Sequence, residues 1–479
     1  FPPNWSACIS GPHLALPLLA GGAKSSGWQV ETWDLSEEFY RKSCRLPETS
    51  AILAASQKAD FDALDKLYFD WEDQFRSRHG ENEDATNFGL LSGYPFSQFQ
   101  ALPLSEVLKL LSKGTIYTSF FLNYVLPRLA EAKPSIVGIT IASQNQIIPA
   151  IELLQLIRNE FPDIFLVLGG NVVTRLRESS AFRVLSSLAD QTVLFQGDEI
   201  FINTLRAVSE LGVVKARQDV PKITAQEEVA YSFWTCPSFD GIDFENRVGI
   251  PVLPYVSTRG CYWGKCKFCA IPAGWSTTGY AGSAPVDLVI PQLKQMVEET
   301  GITRIKFVDE AFHPNKMLSL ASRIHDLRIN IEWEAYARLE KAFENIDFIK
   351  KVRAGGLRKV YFGLEQAPAS SRNLLNKNDS ADPLHVLNAC SRAGVKVHLF
   401  CMVGYPGTSR NDAESTVRFL LENESLIDTA DLVGFHLDRG IEVPGIRSVR
   451  INNSDWGMSV HYEPTQVGVL RPQEVSEIE

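Results

Sequence analysis

Nowhere in the 479 residues does an apolar run approach the ~18 positions that span a bilayer; Leu14 to Ala20 and Ala51 to Ala55 are the longest candidates. No membrane anchor is expected. No basic segment followed by an apolar stretch marks a secretion signal, and the chain reads as cytoplasmic. Positive charge is also scarce: 47 basic against 57 acidic residues leave a net −10, so nucleic acid is not an expected partner. His-Glu-x-x-His, Gly-x4-Gly-Lys and Gly-x-Ser-x-Gly are all missing, which excludes the familiar zinc-protease, phosphate-loop and serine-hydrolase patterns. The eight cysteines show no disulfide framework, since three crowd into nine positions and the rest are scattered. With 45% apolar and 22% charged residues the composition is that of a globular chain, not a disordered or coiled-coil one.

What is present is alternation. Val30 to Leu35, Ser135 to Ile141, Phe165 to Leu168 and Thr192 to Phe195 have the length and β-branched content of strands. Ile147 to Phe161 places Ile148, Ile151, Leu154 and Ile157 at helical spacing. Strands alternating with helices predict a parallel sheet covered on both faces. The candidate strands end in Ala142-Ser143-Gln144-Asn145, Gly169-Gly170-Asn171 and Gln196-Gly197-Asp198-Glu199, loops suited to ligands but equally to ordinary turns. Phe1-Pro2-Pro3-Asn4 reads as the end of a strand, with residues expected before it, and His13 as a helix-start residue. An acidic, aromatic insertion is expected at 36–104 (Tyr68 to Asp73, then polar Arg78 to Asn87), followed by helix from Ser105 to Ala132. Weak periodicity around Pro221, Pro237 and Gly241 marks a linker at 216–248.

A second series starts near Gly249. Its candidate strands are Val252 to Ser257, Arg304 to Val308, Asn330 to Ala335, Lys359 to Phe362, Lys396 to Val403 and Leu432 to Leu437. Helices are expected between them, including Ala284 to Glu299, Asn315 to Leu327 and Ala413 to Asn423. Six strand–helix units suit a partial or full parallel barrel with its site at the carboxyl ends of the strands. A short extension, 441–479, carries weaker signals, with Trp456 and Tyr462 available either to a substrate pocket or to a cover over the barrel base.

Directly after the first strand of this series comes Arg259-Gly260-Cys261-Tyr262-Trp263-Gly264-Lys265-Cys266-Lys267-Phe268-Cys269. Three thiolates on one Gly-containing loop can meet at one centre, and soft sulfur selects zinc or an iron–sulfur cluster. A closed zinc site needs a fourth ligand, and no second Cys or His pair follows at finger-like spacing. Three ligands would leave one iron of a [4Fe–4S] cube open. Cys390 and Cys401 sit among apolar residues and read as core; Cys8, Cys44 and Cys236 have no identifiable partner.

This loop resembles the signature of the radical S-adenosylmethionine (SAM) superfamily, with Phe268 at the aromatic position before the third cysteine. Four residues rather than the commoner three separate Cys261 from Cys266, as in a subset that carries an N-terminal cobalamin-binding domain. Later strand ends continue the resemblance: Phe307-Val308-Asp309-Glu310, Tyr336-Ala337-Arg338, Tyr361-Phe362-Gly363-Leu364-Glu365 and Met402-Val403-Gly404-Tyr405-Pro406-Gly407. The resemblance implies an α/β chain: a doubly wound Rossmann-like cobalamin-binding domain at 1–215, then a partial (β/α)6 radical SAM barrel at 249–440. It further implies a cluster on Cys261, Cys266 and Cys269, and SAM held by Phe268, Asp309, Glu310, Arg338 and Glu365. Cobalamin would be held by Thr140, Ser143, Gln144, Gly169, Gly170, Gly197 and Glu199. Asp-x-His-x-x-Gly, which places a histidine on cobalt in other cobalamin proteins, is missing. The lower cobalt face is therefore expected to meet water or a residue such as Ser143 or Gln144.

The implied chemistry is reductive cleavage of SAM to a 5′-deoxyadenosyl radical, hydrogen abstraction from an unactivated carbon, and methyl delivery from cobalamin. An external one-electron donor of flavodoxin or ferredoxin type is implied as partner. The Tyr262 to Lys265 variant is similar to sequences met near peptide natural products, which points to a peptide or amino-acid-derived small substrate. Two alternatives stay open: a cobalamin-dependent radical oxidase, cyclase or ring-rearranging enzyme that transfers no methyl, and a cofactor-binding sensor. A sensor would have no need of Glu310, Arg338 and Glu365. Replacing Cys261, Cys266 or Cys269 singly with Ala should abolish both the cluster absorption and SAM cleavage, whereas Cys8, Cys44, Cys236, Cys390 and Cys401 should be dispensable for the cluster. Four irons retained by the triple variant would exclude these ligands.

Overall fold

The computed structural model describes residues 12–43, 66, 101–111, 114–245, 250–377, 380–449, 453–465 and 474–475. Two compact units divide the chain, Phe1–Val252 with Asn452–Met458, and Leu253–Ile451 with Ser459–Glu479. Among the described residues no helix is long and apolar enough to cross a membrane.

The first unit is built on a parallel sheet with strand order β1 (Ile136–Thr140), β2 (Phe165–Gly169), β3 (Gln191–Phe195), β4 (Ile223–Gln226). Because side chains alternate across a strand, β2 sends Phe165 and Val167 to one face and Leu166 and Leu168 to the other. Phe165 and Val167 pack with Val193, Ile200 and Val208. Leu166 and Leu168 join Ile148, Ile151, Leu154 and Ile157 of helix Ile147–Glu160. Burial on both faces is why this strand reads as a continuous apolar run.

Several expectations are corrected. Val30 to Leu35 forms no strand: the chain runs irregularly to Asp34 and then turns into helix Leu35–Ser43. Glu38 falls in its first turn, where the helix dipole favours acids. The expected linker at 216–248 contains the end of helix Val213–Asp219 and β4, which pairs Thr192 with Ile223. Four residues are too few to show a period. The helix expected from Ser105 to Ala132 is interrupted around Gly114 (φ +79°) between Leu104–Leu110 and the stretch 118–132. Phe1 to Asn4, Cys8, Cys44, Tyr68 to Asp73 and Arg78 to Asn87 lie outside the described residues.

The extension contributes to this unit more than its sequence suggests. Asp455 is buried and accepts from the Leu104 backbone N–H (2.8 Å) and from the Ser180 hydroxyl. Trp456 enters the core, its Nε1 donating to the Leu102 carbonyl (3.0 Å).

The second unit holds six parallel strands in the order β5 (Leu253–Tyr255), β8 (Arg304–Phe307), β9 (Glu332–Ala337), β10 (Leu357–Glu365), β11 (Lys396–Val403), β12 (Thr429–Gly434). Its outermost strands β5 and β12 do not pair with each other, as in a partial (β/α)6 barrel. Helices Val286–Thr300, Pro314–Asp326, Ile346–Ala354, Pro383–Ala393 and Arg410–Glu422 alternate with the strands. In β9, Trp333, Ala335 and Ala337 are buried while Glu332, Glu334 and Tyr336 are half-buried on the opposite face. An antiparallel pair that sequence did not suggest, β6 (Thr258–Gly260) and β7 (Tyr280–Ser283), frames the cysteine loop.

Replacing Asp455 with Ala removes two hydrogen bonds to a buried carboxylate, each worth about 1.5–3 kcal/mol. The first unit should unfold at lower urea concentration by ~2 kcal/mol or more. An unchanged midpoint would show that the segment contributes nothing to that unit.

Candidate active site

Glycine shapes the entry to the cysteine loop. At Gly260 φ is +85°, and a Cβ there would sit 2.2 Å from the Gly279 carbonyl oxygen, so the two ends of the loop cross at a distance only glycine permits. Lys316 fastens this crossing to the sheet. Its ammonium donates to the Ser257 carbonyl (2.7 Å), Thr258 Oγ1 (3.1 Å) and Ser283 Oγ (2.7 Å). Burial lowers Lys316 to about 8, against the pull of Asp309.

Asp309 departs from expectation. Rather than facing the sheet edge, it is fully buried and accepts from Ser257 N and Ser257 Oγ, both at 2.6 Å. Burial pushes its carboxyl up while Lys316 and Ser257 pull it down. Asp309 braces the strand end that precedes the loop. Its neighbour Glu310 stays half-buried, accepting from Trp275 Nε1 at 2.9 Å; burial raises it to about 7.

Cys261, Cys266 and Cys269 are free and half-buried on this loop. Burial pushes the Cys266 thiol up, opposed by Lys377 and Arg338; Cys269 is pushed to about 12, with its neighbouring cysteines adding to the rise. Arg338 is buried at the end of β9. Its Nη1 lies 3.9 Å from Cys266 Sγ, its guanidinium covers the Trp263 ring at 4.7 Å, and its Nε is 3.7 Å from Glu340. The Tyr262 hydroxyl donates to the same Glu340. Phe268 packs against the cluster of Leu375, Met402, Tyr405, Phe435 and Tyr462.

Glu365 ends β10 with φ +61°, immediately after a register shift, and pairs with Lys377 Nζ at 2.6 Å. Sequence reasoning missed the segment that brings Lys377 there. Lys267 N donates to the Leu375 carbonyl (3.1 Å), Trp263 Nε1 to the Asn376 carbonyl (3.0 Å), and Asn376 Nδ2 to the Lys265 carbonyl (2.8 Å). Arg338 Nη2 donates to the Lys377 carbonyl. No motif marks Leu375-Asn376-Lys377, so only the fold could reveal it. On the same strands, the Tyr336, Tyr361 and Phe400 rings lie 4.9–6.3 Å apart, with Lys306 over Tyr361 at 4.6 Å.

The donor set fits a metal cluster by its chemistry: three free thiols on one loop, with cationic N–H groups from Arg338 and Lys377 around Cys266. Among the described residues, no three His, Cys, Asp or Glu side chains gather closely enough for a single ion.

In the first unit, Thr140, Gly169 and Gly197 lie at or just beyond the carboxyl ends of β1, β2 and β3, on one edge. Ser143 opens a short turn in which Gln146 Oε1 accepts from Ala142 N (2.8 Å) and Ser143 N (3.1 Å). Gln144 Oε1 accepts from Met458 N (2.7 Å), and Glu199 accepts from Gln226 Nε2 (2.7 Å). Gly170 has an internal reason: at φ +111° its Cβ would meet the Ile141 carbonyl oxygen at 2.4 Å. A cavity of about 480 Å³ runs along β1, lined by Leu16, Ala20, Trp28 and Leu129, and of the expected cobalamin residues only Thr140 reaches it.

Three comparisons accord with this architecture. Residues 255–420 match the Radical SAM superfamily. A protein of Pyrococcus horikoshii named an uncharacterised methyltransferase is 26% identical over 307 residues, 60% of this chain and 64% of that protein. The chain thus spans just under two thirds of that relative. The radical SAM methyltransferase TsrM from Kitasatospora setae, solved with cobalamin and a [4Fe–4S] cluster, superposes with TM-score 0.52 at 16% identity, covering 75% of this chain and 80% of that one. With tryptophan and a SAM analogue bound, TsrM gives 0.50 at 16% identity, covering 75% of each. At that identity the likeness concerns the fold.

Titration of Glu310 gives a check on the geometry. A carboxyl raised from 4.5 to about 7 in the folded state disfavours folding once the unfolded group ionises. Stability of the cluster-free protein should therefore fall as pH rises from about 4.5 to about 7 and level off above. Glu310→Gln should flatten that slope in urea titrations; equal slopes in both proteins would place Glu310 in solvent.

Proposed function

We propose that this chain, whose residues 255–420 match the Radical SAM superfamily, is a cobalamin-dependent radical SAM methyltransferase acting on an unactivated carbon of a peptide or amino-acid-derived substrate. The observation that carries the reading is the convergence of the cysteine loop with Glu310, Arg338 and Glu365, each at or just past a strand's carboxyl end. The bound cofactors supply the radical and the methyl group.

The chain's own residues then have defined tasks. Cys261, Cys266 and Cys269 ligate a [4Fe–4S] cluster and must lose their protons to do so, which burial opposes and the nearby cations favour. Arg338 fixes Cys266 and stacks on Trp263, giving the loop one conformation. Glu365 and Glu310 present carboxylates to the SAM ammonium and ribose, and Phe268 packs beside them. The face bearing Tyr336, Tyr361 and Phe400 offers aromatic rings flanked by the Lys306 and Lys359 ammoniums to the substrate. Thr140, Ser143, Gly169 and Gly197 would hold cobalamin at the carboxyl edge of the first sheet. Gln144, Gly170 and Glu199 already serve the fold. An external donor of flavodoxin or ferredoxin type delivers the electron.

Anaerobic reconstitution with iron, sulfide and hydroxocobalamin, followed by turnover with SAM and candidate peptides, tests the proposal. 5′-Deoxyadenosine should form, and the product should gain one methyl. Loss of hydrogens without that gain would move the chain to the oxidase or cyclase alternative. Glu365→Ala should weaken SAM binding about tenfold while iron content holds, as a lost charged hydrogen bond of about 1.5–3 kcal/mol implies. Unchanged affinity would remove Glu365 from the SAM site.

A further inference from the structure

Lys377 is buried and has no place in the chemistry described above. Its ammonium lies 2.6 Å from Glu365, with side-chain exposures of 8% and 11%. The backbone is shaped around this pair. Glu365 takes a left-handed φ of +61°, which costs a non-glycine residue energy. A Cβ at Gly363 would lie 2.3 Å from Lys377 Nζ and 2.6 Å from Glu365 Oε1, so the pair closes directly over Gly363 and a side chain there would displace it.

Lys377 is also registered to the thiols. Leu375 and Asn376 are hydrogen-bonded to Lys267, Trp263 and Lys265 of the cysteine loop. The Lys377 carbonyl accepts from Arg338, whose other terminal nitrogen faces Cys266.

Resting on the reading of a [4Fe–4S] cluster at these cysteines, we propose that Lys377 is a positioning residue. It holds Glu365 in its left-handed pose and cancels that carboxylate's charge beside Cys266, so that reduction of the cluster adds an electron to a balanced shell. Without Lys377 the buried Glu365 stands uncompensated and repels the added electron.

The test uses reconstituted full-length protein, with the cluster's midpoint potential read by paramagnetic resonance and SAM affinity measured in parallel. Lys377→Met should make one-electron reduction about tenfold less favourable, a shift of about 59 mV, and Lys377→Arg should recover it. Lys377→Met combined with Glu365→Gln should recover the potential but not the SAM affinity, a split that a merely structural role would not produce. A wild-type potential in Lys377→Met would overturn the proposal. If that single variant holds no iron, the double variant decides: a wild-type potential supports the proposal, and a tenfold displacement overturns it. Failure of the wild type itself to bind iron would fall instead on the cluster reading.

Discussion

Parallel pairing imposes the constraint on which the second unit depends. Six strands in chain order, all running one way, must deliver every carboxyl end to a single edge. Residues far apart in sequence, Cys266, Glu310, Arg338 and Glu365, are thereby assembled without any local signal linking them. The hairpin β6–β7 adds a frame for the thiols. Lys316 reaches three of its partners and so locks that frame to the sheet. Asp309 anchors the same corner from below through Ser257. A carboxylate at a strand end can brace or bind, and burial decides which.

The surroundings of the thiols set two effects against each other. Burial raises the Cys266 and Cys269 thiols, and nearby cations pull Cys266 back down. At Cys269 burial dominates, whereas at Cys266 it is opposed by two nearby positive side chains.

In the first unit the glycines and polar loops at the strand ends have mixed roles. Gly170 exists because the Ile141 carbonyl crowds it, and Gln144 and Glu199 satisfy backbone and side-chain donors. Thr140, Gly169 and Gly197 are not needed in that way by the contacts described. Gln144, Gly170 and Glu199 thus have partners of their own, and the cavity along β1 is lined by residues that no sequence pattern pointed to.

Much of the fold was legible because period and length suffice for long elements. Lys396 to Val403 and the helix near Ile147 emerge from the sequence almost to the residue. Short or conditional elements did not: β4 has four residues, and Leu35–Ser43 became helical where β-branched neighbours suggested a strand. The three cysteines could be picked out by sequence alone, because their ligand chemistry resides in residue type and local spacing. That Asp309 turns inward, that Lys377 closes on Glu365 and that Asp455 braces Leu104 and Ser180 were decided only by tertiary structure. Each depends on which distant groups share a buried space, and burial sets whether a charge is braced, paired or left to bind.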